Sequence, residues 1–404
     1  MPAIAQDCGQ SDVHSDRTAC VSGPLEGVRV LELGSLIAGP FAGQLLADYG
    51  AEVVKVELPG SGDPMRRWGI TVDGQSLWWP AIARGKKSVA VDVRTDEGRD
   101  VVRRIAAQCD VVLENFRPGT LARWGLGYDD LRALNPGIVV VHVSGFGQSG
   151  PRSGDAGFGS VGEAMGGIRH TTGDPDRRSS RAGVSLGDSL AAVFAVIGTL
   201  AALVERGRSG AGQEVDVAIY EAVAALMEST MVDFERAGVV RQRSGSVLPG
   251  VAPSNVYTSA EGTEVLIAAN ADAVFARLCQ VMGRPELAAD PRYVDHGSRG
   301  SNAAELDEQI EAWTRTVGTE ELLRLLSEGG VPAGKIYTAP DMVSDPHYLA
   351  RDMVLRPEVD GVRHGPMAGV VPKFSRTPGE VTRVGPALGE HTDEVLARLA
   401  QEER

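Results

Sequence analysis

Cysteine is scarce in this chain, and its four cysteines do not pair by spacing. Cys8, Cys20, Cys109 and Cys279 stand among 404 residues with no CxxC, too sparse to staple a protein of this size. A reducing cytoplasm is the expected setting. Positive charge is short too: 40 basic against 54 acidic residues leave a net charge of -14, which argues against nucleic acid or a membrane as partner of the whole surface. A polyanionic ligand would therefore need a local basic cluster. The seven histidines form no HExxH, no close pair and no ligand-spaced cluster with Cys or Asp, so no metal is implied. The first 22 residues lack the basic-then-apolar pattern of a signal peptide and read as a flexible tail. The apolar run from Leu190 to Val204 is shorter than the roughly 20 residues of a membrane span and reads as a buried helix.

What is present is a steady alternation of strand and helix. A hydrophobic content of 43% is enough for a sizeable core in more than one domain. From Leu25 the segments GVRVLELG, AEVVKVELP, SVAVDV, CDVVLENF and GIVVVHVSG read as short apolar strands, with AGPFAGQLLADYG and EGRDVVRRIAAQ as helices among them. That rhythm predicts an α/β fold with a parallel sheet. A further strand and helix, EVDVAIYEAVAALMEST, come later. Between about Asp233 and Gly334 the order changes to a loop, a strand pair (VYTSA and TEVLIAA) and helices around DAVFARLCQVMG and LDEQIEAWTRTV. The expected division is a tail (1–23), a large domain (24–232), a small α+β domain (233–334) and a linker returning into the large domain (335–404), closed by a helix near HTDEVLARLA.

Asp188 carries the most information. In GVSLGDSLAAVFAVIGTLAALVERG a loop delivers it to the threshold of the long apolar helix, where backbone N-H groups and the helix dipole favour an ionised carboxylate. An ionised carboxylate can be a nucleophile, but Asp before an apolar run is also a common helix N-cap. The same segment contains GVSLG, a match to the GxSxG elbow of serine hydrolases, with Ser185 as the would-be nucleophile and His296 or His391 as candidate bases. The elbow needs a buried strand entering the turn, and DRRSSRA is too charged to be one.

Two GxGxxG matches, Gly145 to Gly150 and Gly157 to Gly162, lack the strand-turn-helix context of a dinucleotide site. Both read as loops whose backbone must approach something closely. Basic residues gather at strand ends in ARGKKSVAVDVR (Arg84, Lys86, Lys87, Arg94) and ENFRPGTLARWG (Arg117, Arg123). They are either a solvated face or forked donors and point charges for a phosphate-bearing ligand.

The segments LEGVRVLELGSLIAGPFAGQLLADYGAEVVKVELPGSGD, NFRPGTLARWGLGYDDLRALNP, SGFGQSGP, TTGDPD, GVSLGDS, GRSGAGQEVDVAIYEA, GVPAGKIYTAPDM and LGEHTDEVL, in this order, resemble the family III CoA-transferases. In that family the aspartate at the position of Asp188 is the nucleophile. The resemblance implies a Rossmann-like large domain with a smaller domain, an interlocked homodimer, and a CoA thioester as substrate with no prosthetic group. It implies CoA contacts at Leu36, Ile37, Val91, Asp92, Val93, Arg94, Asn115, Phe116, Arg117 and Arg123, with Phe158, Gly159 and Glu163 lining the acyl group. Related racemases carry a His-Asp pair where this chain has Phe158 and Gly159, so a racemase-like isomerase loses its bases. GFGSVGEAMGGIRH and LPGVAPSNVY look like the branch that moves CoA from succinyl-CoA to malate, citramalate, mesaconate, itaconate or benzylsuccinate. Arg169, His170 and Arg181 are candidates for the distal carboxylate by nearness in sequence. The rival readings are a Ser185 esterase or thioesterase and a non-catalytic acyl-CoA-binding protein.

Overall fold

The computed structural model describes residues 23–72, 74–359 and 361–402; the expected N-terminal tail, with Cys8 and Cys20, lies outside them. Six strands form the main sheet: β1 (Arg29–Glu32), β2 (Glu52–Glu57), β3 (Lys86–Ala90), β4 (Val111–Glu114), β5 (Val139–Ser144) and β6 (Glu214–Ala218). Their order is β3-β2-β1-β4-β5-β6, and the registers among the first five are parallel. The interior strands are continuous apolar runs because both faces are covered, as a parallel sheet with crossover helices requires. One such helix, α2 (Asp96–Ala107), shows why the segment folds as it does. Thr95 caps its N-terminus by accepting from the Gly98 N-H, Asp96 and Glu97 favour the positive end of the dipole, and Val102, Ile105 and Ala106 are buried.

This strand order reverses direction between β1 and β4, and open α/β sheets bind ligands in the crevice at such a point. The segments after β1 and β4 both carry sequence-predicted contact residues.

Two compact units divide the chain: residues 1–142, 195–215 and 355–404 form one, and residues 143–194 and 216–354 the other. The first unit's core gathers Leu31, Val54, Val89, Val102, Val112 and Val140, with Val395 and Leu399 of the terminal helix. Within the second, an antiparallel sheet of β7 (Ser254–Thr258), β8 (Glu264–Ala268) and β9 (Ala333–Lys335) packs on helices including Asp272–Val281, Ala303–Thr314 and Thr319–Glu328. These share a core of their own around Tyr257, Ile267, Phe275, Leu306 and Leu326.

The long apolar helix spans Leu186–Ser209, longer than the run that announced it, and by length and composition it is the one described helix apolar enough to cross a membrane. Ala191, Ala192, Ala195 and Val196 are buried, whereas Val193, Ile197 and Val204 are 41%, 54% and 60% exposed. The helix is apolar on its exposed side as well. Cys109 and Cys279 are buried free thiols, and burial pushes them up to about 12 and about 11.

Beneath the loop after β1 lies a closed set of buried charges. Lys55 Nζ sits 2.8 Å from Glu32 and 2.9 Å from Asp63, and Lys86 Nζ sits 2.7 Å from Glu32, with all four side chains at most 2% exposed. Burial pulls both lysines down; Glu32, Asp63 and Glu57 overcome it for Lys55, which ends above its ordinary value, while Lys86 stays below. Removing one member strands a buried charge, which costs far more than losing a surface pair. Lys55→Met is expected to destabilise the protein by about 3–5 kcal/mol in urea unfolding. Arg324→Ala, which cuts the exposed Glu321 and Glu328 pairs, should leave the urea midpoint nearly unchanged.

Candidate functional site

In the first unit, the strand ends open into a cavity lined by Leu33, Gly34 and Ser35 after β1, Leu58 after β2, Val91 to Arg94 after β3, and Phe116 and Trp124 after β4. Two devices hold its rim. Asn115 exchanges two hydrogen bonds with Ser35, accepting from its N-H and donating to its carbonyl, each at 2.8 Å. Leu36 adopts φ +67°, a conformation rare for a non-glycine residue, and its N-H donates to Asp63 Oδ1 at 3.2 Å. Asp63 thus ties the buried charges to the rim.

Of the expected contact residues, Val91, Asp92, Val93, Arg94 and Phe116 line the cavity. Asn115 spends its amide on Ser35, and Ile37 is buried in a small apolar cluster with Met65 and Trp79. Arg117 and Arg123 are exposed and do not line it. The expectation for the first basic cluster is corrected. Arg84 is forked onto Asp48 at 2.8 and 2.7 Å, Lys86 onto Glu32, and Lys87 bridges Glu52 and Glu394, so these three are committed to ion pairs within the unit. Arg94 remains on the exposed rim, paired with Asp92. Trp124, whose ring meets Phe116 edge-on at 5.2 Å, was not singled out; its signal was its place next to Arg123 in LARWG.

Asp188 lies in the second unit. The helix begins at Leu186, so Asp188 stands in the first turn instead of at the cap. Burial first, then the charge of Glu163, push its carboxyl up to about 6, against a downward pull from Arg181. The cap argument had anticipated an easily ionised group; desolvation and a like charge outweigh the dipole here. Gly159 makes room for it: a Cβ there would sit 2.1 Å from Asp188 Oδ2. Gly159 and Glu163 lie on the short helix Gly159–Met165, and Glu163 is 2% exposed. One Glu163 oxygen accepts from Arg169 Nε at 2.8 Å, the other from the Gly187 N-H at 3.3 Å. Arg181 stands farther off, its Nε 3.9 Å from Glu163 and a terminal nitrogen donating to Ser185 Oγ at 3.4 Å. Phe158 is 66% exposed.

The structure therefore brings Asp188, Gly159, Glu163, Arg169 and Arg181 together. The two glycine-rich matches are explained by each other, since a Cβ on Gly145 or on Gly157 would lie 2.7 Å from the other's Cα. No strand leads into Ser185. His391 bonds Ser88 and Arg383 through its two ring nitrogens, and His296 meets the Asn270 carbonyl.

A Rossmann-type strand order with a crevice at the β1/β4 switch point fits a nucleotide-bearing ligand. The chain belongs to the CoA-transferase family III, whose family model matches residues 25–392. It is 55% identical over 377 residues, 93% of this chain and 94% of the relative, to the succinyl-CoA--D-citramalate CoA-transferase of Chloroflexus aurantiacus. It is 38% identical over 379 residues, 93% of this chain and 89% of the relative, to the succinyl-CoA--L-malate CoA-transferase alpha subunit of Chloroflexus aurantiacus. The crystal structure of a CAIB/BAIF family protein from Brucella suis matches with a TM-score of 0.82 at 36% identity, covering 94% of this chain and 100% of that one.

Moving the Asp188 carboxyl from its ordinary 3.8 to about 6 separates its two protonation states by roughly 3 kcal/mol. A raised carboxyl stabilises the fold below about pH 4, and that contribution is lost as pH rises through 6. Asp188→Asn is thus expected to stabilise the protein by up to about 3 kcal/mol at pH 8, with the gain vanishing toward pH 4, as read from urea midpoints.

Proposed function

We propose that this enzyme moves CoA from succinyl-CoA to a small dicarboxylic acid, with Asp188 as covalent nucleophile. The observation that carries this reading is the carboxylate itself: half-buried, pushed up to about 6, and facing a residue without a side chain. A carboxylate held in that state is a better nucleophile than an exposed one once ionised. An Asp188 oxygen attacks the thioester carbon, the C-S bond breaks, CoA thiolate leaves, and a mixed anhydride remains. The thiolate then attacks the Asp188 carbonyl carbon, expelling succinate and leaving an aspartyl-CoA thioester. An acceptor carboxylate attacks that thioester and regenerates thiolate and a new anhydride. Attack of the thiolate on the acceptor's carbonyl carbon gives the new acyl-CoA and returns the Asp188 carboxylate. No step releases the acyl group to water, so the thioester's energy is retained.

The relatives' names point to a D-citramalate-like or malate-like acceptor. CoA contacts are proposed at Leu36, Ile37, Val91 to Arg94, Asn115 to Arg117 and Arg123, with Phe158, Gly159 and Glu163 near the acyl group. We also propose residues 233–334 as the small domain, supported by the separate core around Tyr257 and Leu326. An interlocked homodimer in the cytoplasm is proposed on the family resemblance. The exposed apolar residues Val193, Ile197 and Val204, and Met231, Val232 and Phe234 on the helix Thr230–Ala237, support burial against a second chain. Ser185 hydrolysis ranks lower, because neither candidate histidine is shown beside Ser185.

Mass spectrometry of the protein with succinyl-CoA and a panel of citramalate, malate, mesaconate, itaconate, benzylsuccinate, oxalate and formate tests the reading. A new acyl-CoA formed by the wild type and absent with Asp188→Ala is expected; free CoA released equally by both, without acceptor, would overturn it. The acid limb of the rate should have its midpoint near pH 6. Glu163→Gln should move that limb to lower pH, because removing the neighbouring negative charge eases ionisation of Asp188.

A further inference from the structure

Four charged groups surround the proposed chemistry, and they are not equally committed. Glu163 is buried and paired: Arg169 donates to it at 2.8 Å, and the Gly187 N-H binds its other oxygen. Arg181 has no comparable partner among the described residues. Its nearest polar atoms are at 3.9 Å on Glu163 and 3.4 Å on Ser185, and its side chain is 46% exposed against 23% for Arg169. His170, the third candidate, is exposed, and its backbone carbonyl accepts from Arg243.

We infer that Arg181 reads the non-reacting carboxylate of both the donor and the acceptor acid, and so restricts the enzyme to dicarboxylates. The inference rests on Asp188 as nucleophile and follows from counting charge along that reaction. With Asp188 ionised, the two carboxylates Asp188 and Glu163 balance the two guanidinium groups of Arg169 and Arg181. In either mixed anhydride Asp188 is neutral, Glu163 still balances Arg169, and Arg181 alone is left without a counter-charge. A succinyl or other dicarboxylate arm restores neutrality through its distal carboxylate; a monocarboxylate arm does not. Because donor and acceptor pass through chemically equivalent anhydrides, one cation serves both half-reactions. Arginine's planar fork suits the task, since it can hold a carboxylate through two parallel bonds.

The test is isotope exchange at pH 8, well above the value of about 6 for Asp188. Labelled succinate is exchanged into succinyl-CoA, and labelled propionate, which is succinate without the distal carboxylate, into propionyl-CoA. Arg181→Gln is expected to lower kcat/KM for succinate exchange by about 100-fold, to change propionate exchange by less than about threefold, and Arg181→Lys to recover at least about tenfold of the loss. Equal losses in the two exchanges, succinate exchange within threefold of the wild type, or no recovery with lysine would each overturn the inference. Hydroxylamine modification of Asp188 in wild type incubated with succinyl-CoA is followed alongside. Its absence brings down the nucleophile reading itself, whereas its presence with an unresponsive Arg181→Gln brings down this inference alone.

Discussion

The second unit is organised around a carboxylate that its surroundings prefer neutral. Burial and the charge of Glu163 push the Asp188 carboxyl up to about 6, and in the proposed cycle that opposition to its charge is relieved when the oxygen becomes an acyl oxygen. The neighbours make sense only with that constraint in place. Gly159 gives the carboxylate room, the Glu163 bond to the Gly187 N-H fixes the turn that carries it, and Arg169 pairs with Glu163 and not with Asp188. In the proposed cycle, stability given up at one residue makes a weak nucleophile a usable one.

In the first unit the corresponding constraint is neutrality among buried ions. Lys55 and Lys86 could not stay charged at their depth without Glu32 and Asp63, and Asp63 in turn holds the left-handed Leu36 at the cavity rim. A loop at the cavity rim in an unfavourable conformation is therefore supported from beneath by the most expensive kind of interaction a core can hold.

Much of this was legible in the chain itself. The apolar runs at Val30, Val53, Val89, Val112 and Val140 marked the strands because a parallel sheet buries both faces, and AGPFAGQLLADYG and EGRDVVRRIAAQ read as helices between them, whereas the short helix Tyr128–Leu134 was not read. Asp188 stood out because a single acidic residue precedes 16 uncharged ones, Ser189 to Val204. What period and composition do not encode is which charges meet. Lys86 and Arg84 look like phosphate ligands until the fold lays Glu32 and Asp48 against them. The upward push on Asp188 depends on Glu163, 25 residues earlier, and on depth, neither of which is a local property. The third strand of the small sheet, Ala333–Lys335, was missed because AGK has no strand-forming side chain and is held by pairing with Val265 to Ile267.

The scarcity of cysteine has a meaning beyond the absence of disulfides. In the proposed cycle a free CoA thiolate and an activated acyl group coexist within one protein, and any reactive thiol nearby could steal the acyl group by transthioesterification or trap the cofactor as a mixed disulfide. Cys109 and Cys279, buried and pushed up to about 12 and about 11, stay protonated at the pH at which Asp188 works. Within the described residues the only sulfur nucleophile left to compete for the acyl group is the one that arrives with the substrate.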